Sequence, residues 1–114
     1  MSDRAWLNGH KDVMQRYVDA LIQGTARTKQ DKAYAISVMK KYFKSDDDHA
    51  MEVTWNFFAN DVETLNPATS PDQYTDTINE LSKKNPKVKG FDVNKYIDNS
   101  FVKAAQDKGV AKQI

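Results

Sequence analysis

The apolar residues of this chain recur at intervals of three and four along almost its whole length. Between Lys11 and Lys29 they form a single stripe, Met14, Tyr17, Val18, Leu21, Ile22 and Ala26. This spacing places side chains on one face of an α-helix, whereas a half-buried strand alternates every second residue. Only Val62–Leu65 is a candidate for extended backbone. We therefore predict an all-α fold of about five helices, forming a single helical domain over residues 1–114.

Capping residues, prolines and glycines set the boundaries of the predicted elements. A turn-like pair, Asn8-Gly9, is expected to separate the short segment Arg4–Leu7 from the first long helix. Gly24 inside that helix indicates a kink or a close packing neighbour. The remaining predicted elements are a helix Lys32–Phe43 capped by Asp31, a helix His49–Asn60, a loop Asp61–Ser70, a helix Pro71–Lys84 capped by Ser70, a turn Val93–Ile97 capped by Asp92, and a helix Ser100–Lys108 stopped by Gly109.

Each later helix has an apolar face in the sequence pattern. The expected faces are Ala33, Ile36, Met39 and Phe43 in the second helix, Met51, Trp55 and Phe58 (widened by Val53 and Phe57) in the third, and Tyr74, Ile78 and Leu81 in the fourth. We expect these faces to form the core.

The formal net charge of +1 hides an uneven distribution along the chain. Residues 1–45 carry nine Lys/Arg against four Asp/Glu, residues 46–82 carry nine acids and no Lys or Arg, and residues 83–114 carry eight Lys against three Asp. A nucleic-acid binder needs a net basic face, so the acidic block argues against one. We expect the acidic block to pack beside the two basic blocks, and the alternative is a docking patch for a charged partner.

The sequence contains no constellation typical of catalysis or metal binding. It has no cysteine, and its two histidines, His10 and His49, are isolated. The three acids Asp46–Asp48 are expected to act as a charged helix cap, because they lack the spacing of a calcium loop. Asp61 and Glu63 are too exposed in a predicted loop to favour acid/base chemistry. We predict no catalytic, ligand-binding or metal residue, no cofactor and no enzymatic activity.

The chain shows no apolar run of the roughly 18 residues needed to span a bilayer. Its first residues, MSDRAWLNGH, do not resemble a secretory leader. We therefore expect no membrane span, and a cytoplasmic location for the chain as it stands.

Asp92–Gly109, DVNKYIDNSFVKAAQDKG, contains three consecutive cap-forming residues, Asp98, Asn99 and Ser100. We expect these residues to cap the last helix, each good cap contributing about 1 kcal/mol. Around them, the aromatic and aliphatic side chains Tyr96, Ile97, Phe101 and Val102 are expected to press onto apolar surface. The segment is interpreted as a clasp that docks the end of the chain.

The order of these segments resembles the C-terminal portion of the solute-binding proteins of ABC importers, in the nitrate/sulfonate/thiamine-precursor class. The strings that carry the resemblance are WLNGHKDVMQRYVDALIQG, KKYFK, TWNFF, SPDQYTDTINELSKKNP and DVNKYIDNSFVKAAQ. The resemblance covers nearly the whole chain but about the last third of a typical family member. Family members have two α/β lobes with a ligand cleft between them, and they are periplasmic or extracellular.

The resemblance implies a helical part of a transport protein that binds no ligand by itself, because the lobes that form the cleft are not represented. The alternative is a free-standing helical protein–protein interaction module. Both interpretations predict a homo-oligomer through exposed apolar helix faces, with exchange of helices about the hinges Lys29–Asp31 and Asp61–Ser70. The rest of a solute-binding protein, or its importer, is the other expected partner.

Overall fold

The structure is a computed structural model that describes residues 2–114. Within that range the chain contains six α-helices and no strand, and five of the helices have eight or more residues, so the predicted all-α fold of about five helices is confirmed. The helices are α1 (Arg4–Gly9), α2 (Lys11–Gln30), α3 (Lys32–Phe43), α4 (Asp48–Phe57), α5 (Thr75–Lys84) and α6 (Ser100–Asp107). A π-helical turn, Phe58–Val62, follows α4, and 3-10 turns occupy Pro71–Tyr74, Pro86–Val88, Val93–Tyr96 and Val110–Lys112.

The first helix begins at an Asp cap and continues further than its sequence suggests. The Asp3 carboxylate accepts hydrogen bonds from the amides of Ala5 (2.9 Å) and Trp6 (3.1 Å). The helix includes the Asn8-Gly9 pair, so the turn predicted there is wrong, and the chain instead leaves helical geometry at His10. The His10 ring stacks on Trp6, with ring centroids 4.4 Å apart. This contact between residues four apart is one that a continued helical turn allows.

The longest helix, α2, is the element around which the others are arranged. It contacts α1, α3, α6 and the final 3-10 turn. Its Ile22 is buried against Ala105 of α6 and Val110, with Val18 and Ala111 at the edge of this cluster. The helix is continuous through Gly24, and a Cβ placed there meets nothing within 4 Å. The close packing neighbour expected at Gly24 is therefore absent.

The helices α3 and α4 pack on each other, and α3 and the π-helical turn after α4 pack on α2. The predicted caps hold, because Asp31 accepts from the Tyr34 amide (3.0 Å) and Asp47 from the Ala50 amide (2.9 Å). Two ion pairs join the basic α3 to the start of the acidic block, Lys32–Glu52 and Lys40–Asp48, the second with a separation of 2.5 Å. These pairs agree with the expectation that acidic and basic segments pack side by side.

Several predicted faces and boundaries differ in the structure. In α3 the buried residue is Ala35, while Phe43 is 61% exposed. The predicted helix His49–Asn60 starts one residue earlier and passes into the π-helical turn, whose last residue is Val62, so Val62–Leu65 is not a strand. The Lys29 ammonium donates to the Ala59 and Glu63 carbonyls, and so helps to stabilise that turn.

The core is far smaller than the apolar pattern predicts. The buried apolar residues are Ile22, Ala26, Ala35, Met51, Ala59, Ala105 and Val110, and four of these are alanines. The chain exposes 8623 Å², whereas a compact protein of its mass exposes about 6,300 Å². Its radius of gyration is 17.8 Å, against about 13 Å for a compact chain of this length. The helices therefore leave much of their apolar surface uncovered.

Candidate functional site

The three cap-forming residues ahead of α6 have different roles. The Asp98 carboxylate accepts hydrogen bonds from the Ser100 amide (2.9 Å) and hydroxyl (2.5 Å), and the hydroxyl bond and then the amide bond hold the pKa of Asp98 below its usual value. The side chain of Asn99 occupies the N-cap position but makes no bond to the helix. The prediction that all three residues cap α6 is therefore correct for Asp98 and wrong for Asn99 and for Ser100, whose hydroxyl donates to Asp98.

Asn99 instead holds the long loop that precedes α5. Its side-chain oxygen accepts from the Thr69 amide (2.9 Å), and its side-chain nitrogen donates to the Thr69 carbonyl (2.7 Å). We call this reciprocal pair the clamp. In addition to the clamp, the side-chain nitrogen of Gln106 donates to the Leu65 carbonyl (2.5 Å), and this bond fixes the same loop to α6. Sequence reasoning missed the clamp because its two residues lie thirty positions apart and share no motif.

The expected apolar contacts around the clasp are made by three of the four residues. Ile97, Phe101 and Val102 are half-buried, whereas Tyr96 is 70% exposed and stacks only on Phe91 (centroids 5.2 Å apart). The Arg4 guanidinium donates to the Lys95 carbonyl, which ties this turn to α1. The clasp thus docks the chain end onto α1 and α2, with Tyr96 directed outward.

An open groove of about 830 Å³ lies where α1, α2 and the clasp meet. We call it the groove. Its lining is mainly aromatic and aliphatic, and consists of Ser2, Asp3, Trp6, Leu7, Val13, Met14, Tyr17, Val18, Tyr96, Asp98, Phe101 and Val102. Both carboxylates in the lining already accept hydrogen bonds from backbone amides. The groove offers apolar surface, and its chemistry suits another apolar side chain better than a polar substrate.

The segment 71–91 forms a projection that we call the arm. Its helix α5 contacts only the two 3-10 turns that flank it, Pro71–Tyr74 and Pro86–Val88. Leu81 is 50% exposed and Tyr74 39%, while Ile78 is partly buried, so two of the three residues of the predicted apolar face lie on the surface. A ten-residue helix is marginal in water without a packing partner. The arm therefore has the composition of a docking element and no surface of its own chain to dock on.

A second uncovered apolar face lies on α4. Val53 and Phe57 are four residues apart and each 54% exposed, while Met51 and Trp55 point to the opposite side, toward α3 and α2. The Trp55 indole donates to the Thr28 carbonyl (2.8 Å), which fixes the rotation of α4. We call the surface formed by Val53 and Phe57 the outer face of α4.

The titratable residues considered in the sequence do not converge. Residues 2–114 contain no group of three or more His, Cys, Asp or Glu side chains arranged to hold a metal ion. Of the pair Asp61 and Glu63, Asp61 is exposed, and one buried carboxylate oxygen of Glu63 has no hydrogen-bond partner among the described atoms. None of the helices described over residues 2–114 combines the length and the hydropathy that a membrane crossing requires.

Comparison with protein-family models, with curated proteins and with solved structures finds no match to this chain. The resemblance to solute-binding proteins therefore stays a prediction.

Proposed function

We propose that the chain acts as the helical C-terminal part of an ABC-importer solute-binding protein, covering a larger body and binding no solute itself. The observation that carries this proposal is the large total accessible surface of the chain, in which many large apolar side chains are exposed. The chain exposes 8623 Å², about 2,300 Å² more than a compact protein of its mass. Permanent interfaces bury about 1,000–2,500 Å² on each partner. The excess is therefore of the size that one permanent interface covers.

The family-like strings support the same proposal. In DVNKYIDNSFVKAAQ, a capped 3-10 turn (Val93–Tyr96) is followed after three residues by α6, and Ile97, Phe101 and Val102 are partly buried. This is the geometry expected of a terminal clasp. In the assembled protein the location would be periplasmic or extracellular, as in the resembled family.

Fragment complementation tests the proposal. A solute-binding protein of the nitrate/sulfonate/thiamine-precursor class, truncated before the segments that resemble this chain, is titrated with this chain in a calorimeter. We expect 1:1 binding and recovery of solute binding by the truncated lobes. Absence of binding, or a micromolar affinity of this chain alone for nitrate, sulfonates, pyrimidines or aromatic acids, would refute the proposal. A matched control is the variant Asn66→Ala, whose polar side chain is exposed and whose removal should leave the fold and the binding unchanged.

The second candidate function is a free-standing interaction module that forms homo-oligomers. The isolation of the arm favours it, because an unpartnered amphipathic helix is a common element of self-association. The two candidates differ in their partner, since the module associates fully with itself and gains nothing from the truncated lobes. Sedimentation equilibrium of the chain with and without those lobes separates them.

A further inference from the structure

We propose that the arm of one chain packs antiparallel on the outer face of α4 in a second copy, and that the two copies exchange this contact reciprocally. The inference does not depend on the solute-binding-protein proposal. It rests on the second candidate function, self-association, and names the two surfaces that would form the contact.

Both ends of the arm are anchored near α6 and α1. The clamp holds Thr69 on Asn99, and the Gln106 bond holds Leu65 on α6, shortly before the arm begins. The other end of the arm leads into the Val93–Tyr96 turn, which the Arg4 bond ties to α1. The arm helix α5 makes no contact with α4 of its own chain, so a second copy is the available source of that surface.

The apolar residues of the arm can face those of α4. Ile78 and Leu81 are three residues apart on α5, with Tyr74 in the 3-10 turn before it, and Val53 and Phe57 are four residues apart on α4. Placing Leu81 on Val53 in an antiparallel pair brings the partly buried Ile78 near Phe57, with Tyr74 beyond it. The stretch from Val53 to Phe57 spans about 6 Å along its helix axis, which is enough to face Ile78 and Leu81.

The charges of the two helices fix the direction of packing. Lys84, the last residue of α5, has no ion pair among the described residues, and Asp46 and Asp47 directly precede α4. In the antiparallel register Lys84 lies toward the residues preceding Val53, so the basic end of α5 faces these two acids. A parallel arrangement would place Asp72 and Asp76 of the arm against the same acids, which like-charge repulsion disfavours.

The groove is the other apolar surface that could receive the arm. Its two carboxylates, Asp3 and Asp98, already accept hydrogen bonds from backbone amides. The Asp46 carboxylate ahead of α4 makes no ion pair among the described residues and can accept one from the basic end of α5. Reciprocal exchange of the contact closes a two-fold dimer.

Cysteine cross-linking tests the contact, since the native chain has no cysteine. Single variants Leu81→Cys, Val53→Cys and Val13→Cys (in the groove) are mixed pairwise, one partner carrying a mass tag, and oxidised. We expect the Leu81→Cys and Val53→Cys mixture to give the dominant mixed disulfide, because helices in contact bring facing Cα atoms within about 7 Å. The matched control, Asn79→Cys, sits on the polar side of α5 and should cross-link several-fold less. Circular dichroism confirms that each variant is folded.

A dominant mixed disulfide between Leu81→Cys and Val53→Cys, with a dimer by light scattering, supports the proposal. Capture of Leu81→Cys by Val13→Cys would overturn it in favour of the groove. A dimer without either cross-link, or a monomer at high concentration, would overturn it as well.

A charge swap gives an independent readout. Lys84→Glu and Asp46→Lys should each weaken the dimer by about two- to five-fold, the range for an exposed ion pair, and the double variant should restore it. Equal dimer affinities in all four proteins would count against the antiparallel register.

Discussion

The clamp provides the most direct test of the structure, through the substitution Asn99→Asp. The change keeps the size of the side chain and the oxygen that accepts from the Thr69 amide. It replaces the nitrogen that donates to the Thr69 carbonyl with a second oxygen, so that a carboxylate faces a carbonyl. The same substitution is neutral at an ordinary N-cap, because Asn and Asp are equally good caps. The sign of the effect therefore separates a clamp from a cap.

The magnitude follows from the bonds that are lost. Each bond of the clamp is worth about 0.5–1.5 kcal/mol net, so Asn99→Ala, which removes both, should lower the free energy of unfolding by about 1–3 kcal/mol. Asn99→Asp loses one bond and gains a repulsion, partly offset by the favourable position of a negative charge at the start of α6, worth about 0.3–1 kcal/mol. We expect a net loss of about 1 kcal/mol at neutral pH.

Urea unfolding followed by circular dichroism measures both variants. The control is Asn66→Asp, the same chemical change in the same loop, where the side chain makes no hydrogen bond and the effect should stay within about 0.5 kcal/mol. Amide exchange at Thr69 should accelerate in both Asn99 variants and remain unchanged in the control. At about pH 3 the introduced carboxyl is largely protonated and can donate to the Thr69 carbonyl, so the deficit should shrink. An Asn99→Asp protein as stable as the wild type at neutral pH would refute the clamp.

Three other substitutions probe the core, the α2–α4 contact and the clasp. Ile22→Ala should lower the free energy of unfolding by about 2–4 kcal/mol in a urea titration, because Ile22 is 2% exposed. Leu21→Ala is the control, since Leu21 is half-exposed and its loss should cost less than about 1 kcal/mol in the same titration. Trp55→Phe removes an indole bond to a carbonyl of α2 and should cost about 1 kcal/mol, with thermal unfolding as the measurement. Ser100→Ala should raise the pKa of Asp98 in an NMR titration. Because that pKa is lowered in the folded protein, the stability due to Asp98 is present above its unfolded pKa and is lost as the pH falls through the folded value, and Ser100→Ala should reduce this loss.

The helices were predictable because their signals are local. Asp31 and Asp47 cap α3 and α4 as the sequence indicates, and the boundaries of α3 in the structure are the predicted ones. Gly109 adopts the left-handed backbone conformation (φ 66°) that ends α6. Caps and stops depend on residues within four positions of one another. They can be read without knowing what each helix packs against.

The burial of each stripe could not be predicted, because it depends on partners that are distant in sequence. Tyr17 and Leu21 belong to the same stripe as Ile22, yet they are 60% and 52% exposed, since α6 covers one edge of α2 and nothing in residues 2–114 covers the other. The clamp was missed for the same reason. Asn99 is a good cap by its type, and its choice of Thr69 is decided by tertiary structure alone.

The difference between local and tertiary information also explains why the arm is expected to bind a partner. The sequence of the arm supplies an apolar stripe and a proline at the first position of the helical segment. It also supplies a capping pair, in which the Ser70 amide donates to the Gln73 side chain (3.2 Å). Such features specify a helix but do not stabilise one of ten residues in water, because nucleation is costly and side-chain burial supplies most of the stability. Since α5 makes no contact with α4 of its own chain, that burial has to come from another molecule. We therefore expect the arm to become more ordered as a larger fraction of the chain is associated.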